Sequence, residues 1–193
     1  MKYKNKIWEE TELKGGEFNS DHFISCRFPV LLKFASFTSC RFENCDFTGA
    51  LFDATSFADS FFPGSKLSYL DFALTSLVNC NFDVSVIESS IFHHYKSGDT
   101  IKRERFDLSG SSFIKTNLVG TVFVKCDLTG VNFGMSDLRK AAFDSCKLKT
   151  TDFTGANIER TTFGDSIIEG TILSVDGFLQ YGTGKGFVIS SVQ

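Results

Sequence analysis

Two prolines stand among 193 residues, too few for a disordered segment or a Pro-rich linker. The net charge is −3, which excludes both a strongly basic nucleic-acid binder and a strongly acidic tail. No apolar run approaches the roughly 18–20 residues of a membrane span. The opening stretch Met1-Lys2-Tyr3-Lys4-Asn5-Lys6-Ile7-Trp8-Glu9-Glu10 has bases but no apolar core, so no secretory signal and a cytoplasmic location are expected. Tryptophan occurs once and methionine twice. The length suits one domain.

Phenylalanine is the opposite case, with 23 copies. From Phe37 every fifth residue is large and apolar: Phe42, Phe47, Phe52, Phe57, Phe62, Leu67, Phe72, Leu77, Phe82, Ile87 and Phe92. The beat resumes at Leu108 and runs through Phe113, Leu118, Phe123, Leu128, Phe133, Leu138, Phe143, Leu148, Phe153, Ile158, Phe163 and Ile168 to Leu173. Extending it to Phe18, Phe23, Phe28 and Phe178 puts 19 of the 23 Phe on the beat. Neither a helix nor a flat strand repeats every five residues, so the period predicts a solenoid whose wall turns a corner at each repeat.

The residue two before each beat is small: Ala35, Ala50, Thr55, Ser60, Thr116, Thr151 and their equivalents. All six cysteines, Cys26, Cys40, Cys45, Cys80, Cys126 and Cys146, occupy this slot. Their placement follows the repeat rather than the mutual spacing of a disulfide framework or zinc site, so buried free thiols are expected. Cys40 and Cys45 fall on adjacent walls, where a bridge is the alternative.

The repeat reads small, Asp or Asn, Leu or Phe, then two polar residues. It stands openly as Cys45-Asp46-Phe47-Thr48-Gly49, Cys126-Asp127-Leu128-Thr129-Gly130 and Thr151-Asp152-Phe153-Thr154-Gly155. This resembles the pentapeptide-repeat family over about residues 11–178. The resemblance implies an all-β, right-handed quadrilateral β-helix with four pentapeptides per coil. Four walls of five residues make axial neighbours 20 apart, so Phe113, Phe133 and Phe153 should stack on one wall and Phe123, Phe143 and Phe163 on the opposite one. About eight coils give a rod of roughly 40 Å at the strand spacing of ~4.8 Å.

The beat breaks twice. Phe28 to Leu32 is a four-residue step at Pro29, where a small kink or deletion is expected. Phe92 to Leu108 spans 16 residues, so a loop or distorted coil is expected at residues 93–107, with Tyr95, Ile101 and Phe106 packing back. The organisation is then an N-terminal cap over residues 1–12, coils over 13–92, the interruption over 93–107, coils over 108–178 and a tail or cap over 179–193. Ile7 and Trp8 are the expected lid. Three glycines between Gly182 and Gly186 argue against a terminal helix, and Phe187-Val188-Ile189 reads as a capping or partner-pairing strand.

The chain has no P-loop, no dinucleotide fingerprint and no nucleophile elbow. No His–acid pair marks a triad, and His22, His93 and His94 lack the clustered ligands of a metal site. No enzymatic activity, cofactor or metal is expected. The resemblance extends to the Qnr-type quinolone-resistance proteins, which implies a DNA-mimicking modulator of type II topoisomerase, gyrase or topoisomerase IV. Residues 43–95 carry seven acids against the single base Lys66, but the acids scatter, and only Asp53 and Asp71 line up on consecutive coils. The broader expectation is a rigid rod that binds a protein partner, monomeric or dimeric through an end cap, without direct nucleic-acid or membrane contact. Its candidate contact residues are Asp53, Asp71, Phe61, Tyr95, Lys102, Arg103 and Arg105. Phe61 stands out as a phenylalanine at an outward position, together with outward Leu51, Leu74, Val78, Val84 and Val86. A short basic run at Lys102, Arg103 and Arg105, interrupted by Glu104, is the weaker case for nucleic acid.

Overall fold

The computed structural model describes residues 1–94, 105–188 and 190. They form sixteen strands of two to four residues and two helices, α1 (Glu10–Leu13) and α2 (Val175–Gly184). Strands and bridges pair in parallel, typically 20 residues apart: Thr55 lies opposite Thr75, and Ala142 opposite Thr162. The chain therefore returns to the same wall after four pentapeptides, and an all-β solenoid of about eight turns results. Wall 1 starts with Tyr3 and Phe23, wall 2 with Trp8 and Phe28, wall 3 with Leu13 and Leu32, and wall 4 with Phe18 and Phe37.

The corners explain how a strand of three residues can turn so often. Among the described residues twenty non-glycine residues have φ between 48° and 63°, and each follows a beat residue by two positions. That left-handed conformation costs an L-residue roughly 1–2 kcal/mol. The same corner recurs around the solenoid, so the interior must outweigh a repeated strain.

The small slot does more than make room for a ring. In most turns its Ser, Thr or Cys side chain donates a hydrogen bond to the carbonyl of a beat residue one turn earlier. Ser65 Oγ reaches the Phe42 carbonyl at 2.7 Å, Thr151 Oγ1 that of Leu128 at 2.8 Å, and Cys126 Sγ that of Phe92 at 3.3 Å. All six cysteines are buried and free, and Cys40 and Cys45 are not bridged.

Inside, the rings stack in ladders. Phe113, Phe133 and Phe153 follow one another at 5.0 and 5.2 Å, and Phe123, Phe143 and Phe163 at 4.8 and 5.3 Å. Across the core the two ladders meet edge to face, as Phe123 and Phe133 do at 5.8 Å and 81°. In the first turns walls 2 and 4 are aromatic as well, with Phe28 on Phe47 at 4.0 Å and Phe37 on Phe57 at 5.0 Å.

Both irregularities are absorbed without breaking a ladder. At Pro29 the turn is one residue short: Phe18 pairs with Phe37 and His22 with Arg41, 19 positions apart. At the second break Asn81 pairs with Ser112 and Ile91 with Val122, 31 positions apart. One turn therefore contains eleven extra residues between Phe92 and Leu108, and Phe92 still stacks on Phe123 at 4.9 Å. Phe106 packs inward, 2 % exposed, while Tyr95 and Ile101 lie outside the described residues.

The ends depart from expectation. Residues Lys2–Lys4 already pair with His22–Ile24, so the beat begins at Tyr3. Trp8 is buried at the N-terminal end with Lys6 Nζ 3.7 Å above its ring, whereas Ile7 points outward and is not part of the lid. At the other end the glycine argument against a helix fails. Ser174 caps α2, its Oγ accepting from the Gly177 N–H at 3.2 Å. Gly177 is itself buried against Leu173 and Ile158, where a side chain would crowd the Ser174 hydroxyl. Gln180 Oε1 accepts from the Ile158 N–H at 2.9 Å and so takes the place of a further turn. Phe178 belongs to this helix and is exposed, so the beat ends at Leu173. Phe187 and Val188 are exposed and form no strand; Ile189 lies outside the described residues.

Two substitutions test these causes. Val84 holds φ 63° on an exposed corner, so Val84→Asn should raise the stability by about 0.5–1 kcal/mol in denaturant unfolding. Thr151→Val removes the hydroxyl's bond to the Leu128 carbonyl, which keeps the one from the Val131 N–H, and should cost about 0.5–1.5 kcal/mol, with Thr151→Ser costing clearly less.

Candidate interaction surface

A solenoid with a filled interior displays chemistry only on its walls, corners and ends. Asp53 and Asp71 both lie on wall 3, on consecutive turns but in different ladders: Asp53 is opposite Lys33, and Asp71 opposite Leu51. Asp71 accepts from the Ala73 N–H at 2.9 Å and pairs with His93 Nε2 at 2.9 Å. Phe61 lies on wall 1, across the rod, 46 % exposed between Arg41 and Asn81. Arg105 donates from Nη1 to the Ser145 carbonyl two turns away. Tyr95, Lys102 and Arg103 lie outside the described residues. The described candidates therefore do not converge, except for the two carboxylates of wall 3.

The acids of residues 43–95 are spread around the rod. Glu43 and Asp83 stand on wall 1, Asp46 and Glu88 on wall 2, Asp53 and Asp71 on wall 3, and Asp59 at the corner between walls 4 and 1. Several are matched by a base in or near the neighbouring turn. Arg27 sits 3.7 Å from Asp46 with Lys66 in the next turn, and His22 sits 3.2 Å from Glu43. In the distal half Lys147 pairs with Asp127 at 3.1 Å and Lys149 with Glu169 at 2.9 Å. No continuous acidic stripe forms among the described residues.

Nothing in the repeat pattern foretells how the insertion is closed. His94 Nε2 lies 3.0 Å from the Arg105 carbonyl, and its ring packs 5.1 Å from that of Phe106. These contacts tie together the two strands of chain that flank the eleven extra residues. A histidine beside a broken beat carries no distinctive pattern.

The C-terminal end is apolar and incompletely covered. Ile168, a beat residue, is 57 % exposed, and α2 shields Phe163 only from one side through Tyr181 at 5.8 Å. A hollow of about 510 Å³ remains there, lined by Leu148, Phe163, Ile168, Leu173, Val175 and Phe178.

Among the described residues no three His, Cys, Asp or Glu side chains cluster as metal ligands, and no helix is long and apolar enough to cross a membrane. Burial pushes the Cys45 and Cys80 thiols up to about 12, so at neutral pH they remain protonated hydrogen-bond donors.

Fold and surface together define a four-walled solenoid of five-residue repeats. A family model for the pentapeptide repeat region matches residues 35–100 and 102–173, and the chain belongs to the pentapeptide-repeat family. Among solved structures, full-length QnrB1, described as a plasmid-mediated fluoroquinolone resistance protein, superposes with a TM-score of 0.66 at 14% identity. That match covers 94% of this chain and 96% of QnrB1. HetL, a pentapeptide repeat protein involved in heterocyst differentiation regulation in the cyanobacterium Nostoc sp. strain PCC 7120, matches at 15% identity and a TM-score of 0.38. Its match covers 92% of this chain and 88% of HetL. No curated protein matches the chain.

The buried thiols give a direct check. In the native protein a disulfide reagent such as DTNB should titrate few or none of the six cysteines within minutes, and all six after denaturation. Rapid native labelling of Cys45 or Cys80 would contradict their assigned burial.

Proposed function

We propose that this protein is a non-enzymatic interaction rod that binds a protein partner through its walls and associates with itself through its C-terminal end. The observation that supports this best is where apolar side chains remain outside a filled core: along the first turns, and at the end bearing Ile168, Ile172, Val175 and Phe178. The hollow beside α2 would be filled by the equivalent end of a second copy, which gives a longer rod with a closed centre. The partner is recognised by shape and by apolar contact, with no covalent step. Turnover abolished by a single surface substitution would contradict the reading.

A narrower reading is a modulator of bacterial type II topoisomerase that confers fluoroquinolone tolerance. The acidic segment 43–95 and the fold shared with QnrB1 favour it, and the dispersal of the acids over four walls weighs against it. A gyrase supercoiling assay with a fluoroquinolone decides this: restored supercoiling at low protein concentration supports the topoisomerase reading, and no protection removes it while leaving the rod intact.

Self-association is tested separately. Sedimentation equilibrium should give twice the chain's 21.5 kDa, and the doubly substituted Ile168→Asp, Phe178→Asp protein should return to the single-chain mass. A wild-type chain that stays monomeric at high concentration would refute the end contact.

A further inference from the structure

We infer that wall 3 of the first turns docks a short segment of a partner protein carrying apolar side chains next to a lysine or arginine, an assignment that rests on the interaction-rod reading. Among the described residues ten large apolar side chains are exposed along the sides of the rod between Val30 and Ile167, and five of them stand on wall 3 or its corners. These are Val30, Phe34, Leu51, Tyr69 and Leu74, all within three successive turns. On the other walls the described exposed side chains form a smaller group, Phe61, Val78 and Val84 in neighbouring turns around wall 1, with Met135 and Ile167 isolated in later turns.

The group has a shape. Phe34, Ala54 and Leu74 hold the same corner in consecutive turns, so large, small and large side chains alternate down the rod. At the opposite corner of the wall the middle turn carries Gly49, where an added side chain would meet nothing within 4 Å. The turns on either side carry Val30 and Tyr69 there. The middle turn is therefore low at both corners, and a shallow transverse groove crosses wall 3. Its floor holds Leu51 and Asp53, and its lips stand roughly 10 Å apart, two strand spacings. An extended peptide or a single helix is about that wide.

Charge and area select the occupant. The groove sets the carboxylate of Asp53 on its floor, opposite Lys33, and that of Asp71 on its lower lip, where His93 Nε2 lies 2.9 Å from one oxygen and leaves the other open among the described residues. An apolar segment that also brings a cation complements both features. The face covers on the order of 200 Å² over three turns, well short of the ~800 Å² per partner typical of a stable protein interface. A second copy of this rod would be held too weakly by it, whereas a short linear segment needs no more.

The test is selection of phage-displayed random dodecapeptides on the immobilised full chain, followed by fluorescence anisotropy with the enriched peptides. Enriched sequences should combine two or three apolar residues with Lys or Arg. Leu51→Asp should weaken their binding by roughly tenfold or more, as loss of a central anchor does. Asp53→Lys should weaken it as well, and Phe61→Asp on wall 1 should leave it unchanged. Leu74→Asp supplies a second variant, since both leucines are exposed and neither substitution reaches the core. Absence of enriched peptides, or an acidic consensus, overturns the assignment. Loss through Phe61→Asp in place of Leu51→Asp removes this face while the rod reading stands. If Leu51→Asp changes the mass of the assembled chain in sedimentation, a second copy is the occupant and the assignment also fails.

Discussion

Axial stacking of aromatic rings holds this structure in register. On wall 1 the ladder Tyr3, Phe23, Phe42, Phe62, Phe82, Phe113, Phe133 and Phe153 runs through the molecule, with neighbouring centroids 4.8–5.2 Å apart. That separation follows the parallel-strand spacing of ~4.8 Å, so backbone pairing and ring packing are satisfied together. Each stacked pair adds about 0.5–1.5 kcal/mol beyond burial. The same repetition offsets the left-handed corners, whose strain recurs with every wall. A slip of one residue would turn the ladder outward and lose both gains, which is why a short turn and a long turn are accommodated locally.

Hydrogen bonding adds a second repeat to the first. The small slot could be filled by alanine alone if size were its only requirement, and at Ala35, Ala50 and Ala141 it is. In most other turns Ser, Thr or Cys donates to a carbonyl of the previous turn, while Ser85 and Ser136 donate to Phe82 and Phe133 in their own turn and the Thr75 and Ser111 hydroxyls find no partner. The cysteines belong to this series and fit no metal or disulfide pattern. Their chemistry is that of a weak donor of suitable size.

Most of the fold was legible because its period is unlike any other. The beat from Phe37 onward, the small slot and the four-wall stacking of the second block all follow from counting by five. Three features were not legible, each for a physical reason. The insertion contains eleven extra residues, but sequence spacing alone cannot say which wall the chain returns to; the pairing of Asn81 with Ser112 shows it. Helix α2 was hidden because Gly177 and Gly182 lower intrinsic propensity, whereas packing on Ile158 and the Ser174 cap decide the outcome. The signal available was Ser174 followed by Asp176 in the first turn. The wall 3 group was hidden because Val30, Phe34, Tyr69 and Leu74, each two after a beat, stand on two different corners, and they join Leu51 only when the corners fold. Of the candidate contacts, Asp53 and Asp71 stand on consecutive turns but in different ladders, so they do not line up, and the distance of Phe61 from them needed the wall assignment.

The claim that stacking continues through the insertion is open to a double-mutant cycle on Phe92→Leu and Phe123→Leu, measured by denaturant unfolding. These rings lie 4.9 Å apart and nearly parallel, so the cycle should return a coupling of about 0.5–1.5 kcal/mol. The control pair Phe92 and Phe143, two turns apart, should couple by less than about 0.5 kcal/mol. Equal couplings in the two cycles, or none between Phe92 and Phe123, would contradict a continuous ladder and the eleven-residue insertion with it.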